Sequence, residues 1–437
     1  MALEDAKESL TDRGFATTFD EAIGIGPGGG ERSPLPDLIL EEVRRIETDD
    51  EQIGDVHTMN LPGLKEDVWL DDPGEKEAPE ISGLFEDSVS DSEAAIKLLR
   101  LLEPYEARRR KMVEMPRSWW SFPLNSGEAS QLMKFRLHGM VYLRDHALVA
   151  AAAGRKELAA EDLETLVSWI EDCQESPKSL MQSVIGIGEI DLVLDVMKEM
   201  LISESISPDH LAKLSRRLDP KQMILSGFNT SVAGVIEDCA MIRQDRPSVA
   251  WEQWFSGWDF DSDVVSHKFE SLLYAFGPQG LRDRDLAELL LWWATEVERL
   301  SGENRNWLQE IDRYHAGYDA VDSHAGDLES EVMSPPYTET YWNVLSLAVT
   351  KALRMCVQLS LFQNAAELEI FRSENGHFPS DLGGLLGQAR DPMSKSNFRY
   401  KTESDGGFSF WSVGPDGKDD GATGDDLVFR FWIRKQN

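Results

Sequence analysis

From Ser92 to about Leu300, apolar residues recur three and four positions apart, the spacing of one face of an α-helix. "SEAAIKLLRLLEPYEARRRKMVEM" opens this region with a Ser cap. "SGEASQLMKFRLHGMVYLRDHALVAAAAGRKE" predicts a long helix ending at Gly154, with Arg155 and Lys156 beyond it. "AAEDLETLVSWIEDCQES", "SLMQSVIGIGEIDLVLDVMKEMLIS" and "SPDHLAKLSRRLD" predict further helices joined by short Pro/Ser turns. The last begins Ser207-Pro208-Asp209, a cap followed by proline in the first turn. Another helix is expected over about Asp283 to Leu300. Helix pairs with short connections, and no repeat of fixed period, predict an irregular α-solenoid or helical bundle.

The flanks have a different texture. Residues 1–90 are irregular and acidic, with breaker clusters at "GIGPGGGERSPLP" and "LDDPGEKEAPE". The Gly24–Gly30 piece reads as a loop, since Pro27 sits within it and no Lys-Ser/Thr follows to complete a phosphate cradle. After "SPPYTET", the run "YWNVLSLAVTKALRMCVQLSLFQNAAELEIFRSENG" predicts one long helix that stops at Gly376, with a short helical piece at about Ser380–Leu386. Three strands follow at "FRYKT", "GFSFWSV" and "DLVFRFWI". Their alternation of apolar and polar positions, with a Ser-Asp-Gly-Gly turn between the first two, fits antiparallel pairing. The predicted organisation is therefore mainly α. It comprises an acidic N-terminal segment (1–90), a helical domain (91–333), and an α+β domain of one long helix and three strands (334–437).

Composition narrows the partners. Of 437 residues, 44 are Lys or Arg and 79 are Asp or Glu, so the formal charge is 44 − 79 = −35. A phosphate backbone is repelled by such a surface, which argues against nucleic acid and favours cations or a basic protein. Solubility alone is the plainer reading of the same charge. Three cysteines, Cys173, Cys239 and Cys356, lie far apart in helical contexts, and they indicate buried thiols rather than zinc or disulfides. No run approaches about eighteen apolar residues, and Met1-Ala2-Leu3-Glu4-Asp5 does not open a signal peptide.

The C-terminal residues carry a resemblance. A long helix ending in "FRSENGHFPSDLGGLL", then "DPMSKSNFRYKTESDGGFSFWSVGPDGKDDGATGDDLVF", resembles the globular part of the major pseudopilin of type II secretion systems. In that family a Glu-Asn-Gly-x-Phe/Tyr-Pro turn precedes an Asp-Pro segment, a short sheet and a Ser-x-Gly-x-Asp-Gly loop that binds calcium. The whole chain is similar to uncharacterised proteins of planctomycetes and related bacteria, in which a large helical region precedes this module. That wider likeness implies a fold rather than an activity. Unlike a pseudopilin, the chain places its long helix late, interrupts its apolar face with Lys351 and Arg354, and has no prepilin cleavage motif, so no filament assembly is expected. The similar helical proteins usually carry an N-terminal anchor or signal. The resemblance thus implies that Met1 stands in place of a removed anchor, and that the native compartment is extracytoplasmic, either periplasmic or on a membrane facing the periplasm.

The loop "SVGPDGKDDGATGDD" has chemistry suited to a hard cation, which takes six to eight oxygens from carboxylates and carbonyls. Gly414, Gly417, Gly421 and Gly424 permit the positive φ angles that wrap a short chain around an ion. By position in the family's motif, Asp416 matches the aspartate of the Asp-Gly pair and Val413 offers its carbonyl, while Asp425 or Asp426 closes the far side. Asp419 and Asp420 are additional carboxylates, one of which could ligate directly or through water. The implied cofactor is Ca2+ in a structural role. The loop is not an EF-hand, because from Asp416 the third position is Lys418 and the twelfth is Leu427 where glutamate is required. A solvated Asp/Gly hairpin loop is the alternative.

No catalytic signature emerges. His138 and His146 are eight apart on one predicted helix, whereas a helical zinc pair sits three or four apart. "YHAGYDAVDSHAGD" sets His315 near Asp322 and His324 in an irregular stretch, and His377 falls in the turn after the long helix. No Gly-x-Ser-x-Gly, His-Glu-x-x-His or dinucleotide fingerprint occurs. Trp251, Trp254 and Trp258, at helical spacing, read as a buried face or as a sugar-binding platform. The first expectation is a non-catalytic extracytoplasmic scaffold or interaction protein with a structural calcium site. The alternatives are a solenoid-type module capturing a peptide or protein, and a polysaccharide-acting hydrolase using the tryptophan cluster and a carboxylate pair.

Overall fold

The computed structural model describes residues 2–13, 91–103, 106–114, 126–175, 180–227, 230, 291, 294–295, 336–382, 391–394, 396–404, 406–414, 417–424 and 426–431. Delimited among them are helices α1 (Ala2–Asp12), α2 (Asp91–Leu102), α3 (Glu106–Val113), α4 (Ser126–Ala152), α5 (Lys156–Glu175), α6 (Leu180–Ile202), α7 (Pro208–Ser215) and α8 (Pro336–Asn375). The strands are β1 (Arg399–Thr402), β2 (Phe408–Ser412) and β3 (Leu427–Phe431). The chain is mainly α with a small antiparallel sheet near its C-terminus, as its periodicity predicts. The first helical run is two helices, α2 and α3, flanking a position where the sequence carries Pro104. Proline offers no N–H to a continuing helix and its ring clashes with the preceding turn.

Local chemistry accounts for the helix ends. Beyond α4, Gly154 has φ 72°, and the amides of Gly154 and Arg155 turn back to the carbonyls of Ala151 (3.0 Å) and Ala150 (2.8 Å). This paired closure satisfies carbonyls that the last helical turn leaves open, and it requires a residue tolerant of the left-handed region. Ser207 caps α7 by accepting the His210 amide on its hydroxyl (3.3 Å), with Pro208 in the first turn. The amide of Gly376 returns to Arg372 (2.7 Å) and ends α8. Ser380–Leu382 are not helical, so the short helical piece expected from Ser380 does not begin there.

Two units divide the chain. The first comprises Met1–Arg32, Cys173–Ile185 and Pro220–Arg354; within it the Ser183 hydroxyl donates to the Met223 carbonyl at 2.8 Å. The second comprises Ser33–Asp172, Gly186–Asp219 and Met355–Asn437. There α2 packs on α4, and the end of α8 is tied to the α6–α7 corner by Arg372–Glu204 (2.6 Å) and Arg216–Glu367 (3.2 Å).

Charges buried in the second unit join its helices. Arg109 of α3 is 3% exposed and donates to Asp162 of α5 (2.5 Å), to Glu161 (2.8 Å) and to Glu106 (3.0 Å). Asp162 is fully buried, and its second oxygen meets Nδ1 of His146 of α4 at 2.6 Å. Burial pushes the Glu106 carboxyl up, but the hydrogen bond and charge of Arg109 outweigh this and hold it below the ordinary range. Arg136 of α4 and Glu189 of α6 form a second buried pair through two hydrogen bonds. Such pairs recover at best the cost of their own desolvation, so they specify which helices meet more than they stabilise the fold.

The sheet order is β1-β2-β3, antiparallel throughout, with Tyr400 opposite Phe410 and Phe408 opposite Phe431. Every residue of the central strand is buried. Phe408 stacks on Phe431 (5.3 Å) and meets Phe378 edge-on (4.8 Å), while Phe410 lies 5.2 Å from Phe398. Phe362 of α8 meets Phe429 edge-on at 6.2 Å and so covers the sheet. The β1–β2 turn closes with the Glu403 amide on the Gly407 carbonyl at 2.9 Å.

Replacing Arg109 by Met leaves the Asp162 carboxylate buried and facing only His146. The expected cost is about 3–5 kcal/mol, read from urea unfolding of the full chain by far-UV dichroism.

Candidate metal centre

The connection between β2 and β3 begins at Val413 and ends at Asp426. Its corner is Gly421-Ala422, at φ 70° and 66°. Ala422 is 7% exposed and holds the left-handed conformation against its own Cβ, a strain that its neighbours must offset. They grip it from both sides. Its amide donates to Asp426 Oδ2 (2.9 Å), and its carbonyl accepts from the Arg430 guanidinium of β3 (2.8 Å).

Asp426 is the inward carboxylate. It is 8% exposed; Oδ2 takes the amides of Asp420 (3.1 Å) and Ala422, while buried Oδ1 has no hydrogen-bond partner. A buried carboxylate oxygen without a donor carries the full cost of desolvation. An oxygen in that condition is a ready ligand for a hard cation. Neighbouring Asp420 keeps its carboxylate beside Gly424, where an added Cβ would stand 2.7 Å from Oδ2.

Asp419 faces the other way. Its carboxylate accepts from Trp411 Nε1 of β2 (3.1 Å), from the Gly421 amide (3.2 Å) and from Arg399 Nε of β1 (3.1 Å). The Trp411 hydrogen bond, supported by Gly421 and Arg399, outweighs desolvation and holds this carboxyl below its ordinary value.

At the loop's entrance Asp391 is 1% exposed and fully committed. It accepts the Met393 amide (2.8 Å) and Ser412 hydroxyl (2.7 Å) on Oδ1, and the Val413 amide (3.2 Å) on Oδ2. This fixes Val413, itself 1% exposed, where the loop leaves the sheet.

Of the six residues expected from sequence, Val413 and Asp426 are buried in the loop, Asp420 is exposed beside Gly424, and Asp419, also exposed, turns its carboxylate toward the sheet. Asp416 and Asp425 lie outside the described residues. Among the described residues, no group of three or more His, Cys, Asp or Glu side chains is arranged to hold a metal. Asp391, Trp411, Arg399 and Arg430 were not singled out by sequence. Only Asp391 left a trace, as the aspartate of an Asp-Pro pair.

Other sequence candidates fall elsewhere. His146 is engaged with Asp162 and stacked on Tyr142 (ring centroids 6.0 Å apart). His377 Nδ1 is bonded to the Phe378 carbonyl (2.9 Å) in the turn after α8. The side chain of His138, together with Trp251, Trp254, Trp258, His315, Asp322, His324 and Cys239, lies outside the described residues. Comparison with protein-family models, curated proteins and solved structures returned no match. The chemistry of the loop therefore stands on its own geometry.

Two outcomes follow. Asp426→Asn keeps a carbonyl oxygen for the two amides and removes an unpaired buried anion. In excess chelator at neutral pH it raises the calorimetric midpoint by roughly 2–4 °C, the shift that about 1 kcal/mol produces in a unit of this size. For Asp419 the folded-state carboxyl titrates below its unfolded counterpart, so its contribution is complete above the ordinary value of 3.8 and is lost as pH falls through the lowered one. Urea midpoints of wild type and Asp419→Asn differ at neutral pH, and the gap closes in strong acid.

Proposed function

We propose that this protein is a non-catalytic, extracytoplasmic scaffold or interaction protein whose C-terminal α+β module, similar to that of the type II secretion major pseudopilin, is stabilised by calcium in the β2–β3 loop. The observation that carries this reading is the Oδ1 atom of Asp426, which is buried and unpartnered inside a loop fastened to the sheet. Asp426 supplies that oxygen, Val413 its carbonyl and Asp420 a neighbouring carboxylate. Asp416 and Asp425 are further ligands expected from the sequence. Calcium accepts such a mixed and irregular oxygen shell, whereas magnesium demands a near-ideal octahedron.

The ion's task is structural. The loop joins the central strand to an edge strand, so its closure holds Ser412 opposite Leu427 and, through them, the aromatic register. A compartment rich in calcium fits such a site, since extracellular modules of this chemistry fill at roughly 10⁻⁴–10⁻³ M. The helical region would serve as the surface for a protein or peptide partner, for which the overall charge of −35 favours a basic one.

Thermal unfolding of the full chain in excess chelator and at rising calcium tests this reading. The wild-type midpoint climbs with calcium, by the equivalent of about 2.7 kcal/mol at a hundredfold excess over Kd. Asp426→Asn and Asp416→Ala stay flat, and magnesium is a poor substitute. Superimposable wild-type curves with and without calcium would make the loop an ordinary acidic turn.

A further inference from the structure

Asp419 and Asp420 are consecutive exposed carboxylates that face different neighbours: Asp420 lies beside Gly424, and Asp419 reaches the sheet. A carboxylate offers about four acceptor positions, and three described donors take three of those of Asp419: Trp411 Nε1 and Gly421 N share Oδ1, and Arg399 Nε meets Oδ2. The guanidinium that reaches it is fixed in turn, donating from Nη1 to the Asn397 carbonyl (2.6 Å) and the Ser396 hydroxyl (2.9 Å). Trp411 is 9% exposed within a strand that is buried throughout, so its indole N–H points from a rigid base.

Each partner of Asp419 anchors a different element. Arg399 belongs to β1 and Trp411 to β2, and Gly421 is the first residue of the left-handed corner. The next amide along, that of Ala422, is one of the two that grip Asp426. Asp419 therefore stands between the sheet and the groups that orient the candidate ligand.

We infer that Asp419 is a positioning residue rather than a ligand. Its Trp411–Asp419–Arg399 clasp holds the Gly421-Ala422 corner so that Asp426 Oδ1 faces the ion, and calcium affinity is thereby coupled to the pairing of β1 with β2. This rests on the calcium reading of the loop and assigns that site a control on its affinity. Asparagine at 419 retains an oxygen for Trp411 and Gly421, whereas alanine retains none. A true ligand would lose most of its hold on a cation with either change.

The test uses the full chain and two measurements. The first is hydrogen exchange at the Gly421 and Ala422 amides in excess chelator. The second is titration with Tb3+, a calcium-sized ion, followed by its directly excited luminescence so that the readout does not depend on Trp411. Asp419→Ala and Trp411→Phe should speed exchange at both amides and weaken Tb3+ by about tenfold, the scale of one charge-assisted hydrogen bond lost. Asp419→Asn should keep most of the wild-type protection and affinity. Asp426→Asn should retain a protected Ala422 amide yet abolish the titration.

If Asp419→Asn abolishes Tb3+ binding as Asp426→Asn does, Asp419 is a ligand and the inference is overturned. It is equally overturned if Asp419→Ala alters neither exchange nor affinity. Absence of saturable Tb3+ and calcium binding by wild type would instead bring down the ion reading. Faster exchange in Asp419→Ala would still uphold the clasp in that case.

Discussion

A carboxylate withdrawn from water must meet donors or a cation, and a chain as acidic as this one meets that demand repeatedly. Asp162 is bracketed by a guanidinium and an imidazole contributed by two other helices. Asp391 is surrounded by two amides and a hydroxyl, all from near the sheet entrance. Asp426 is met on one oxygen and left open on the other. The first arrangement selects helix neighbours, and the second aims the exit from β2. The third leaves one buried oxygen without a donor in a loop that is otherwise held firmly, and this sets Asp426 apart from the other described carboxylates of the loop.

Much of the architecture is legible without coordinates because its determinants are local. Gly154, the Ser207-Pro208 pair and Gly376 mark helix ends within a few residues of where the chain turns. Alternation at Phe408, Phe410, Phe429 and Phe431 reveals the strands, and the Ser-Asp-Gly-Gly turn brings the first two together. The loop was visible as a candidate because aspartate and glycine are both dense there.

What pattern cannot assign is the work of each acid. Five aspartates in one short loop look alike in sequence, yet Asp419 turns to a tryptophan and an arginine while Asp426 turns inward. The distinction depends on Arg399, twenty residues upstream of Asp419, and on an indole that lies in the neighbouring strand. The helical charge clusters are hidden for the same reason, since Arg109 and Asp162, like Arg136 and Glu189, are 53 residues apart. The division of the first helical run into α2 and α3 is, by contrast, local: Pro104 lies between them while the helical periodicity continues on both sides.

The interleaving of the two units bears on how the protein is made. The second unit draws on Gly186–Asp219 and then on nothing until Met355, while the first recruits Pro220–Arg354 in between. During synthesis at roughly 5–20 residues per second, the helices before Asp219 wait on the order of ten seconds for the segment that completes their core. Through that interval the apolar surface that Met355–Asn437 will cover has no final partner, and neither unit can finish as a self-contained early product. A nascent chain of this kind depends on late, sequence-distant contacts, the circumstance in which holding chaperones and a high net negative charge are most useful against premature association.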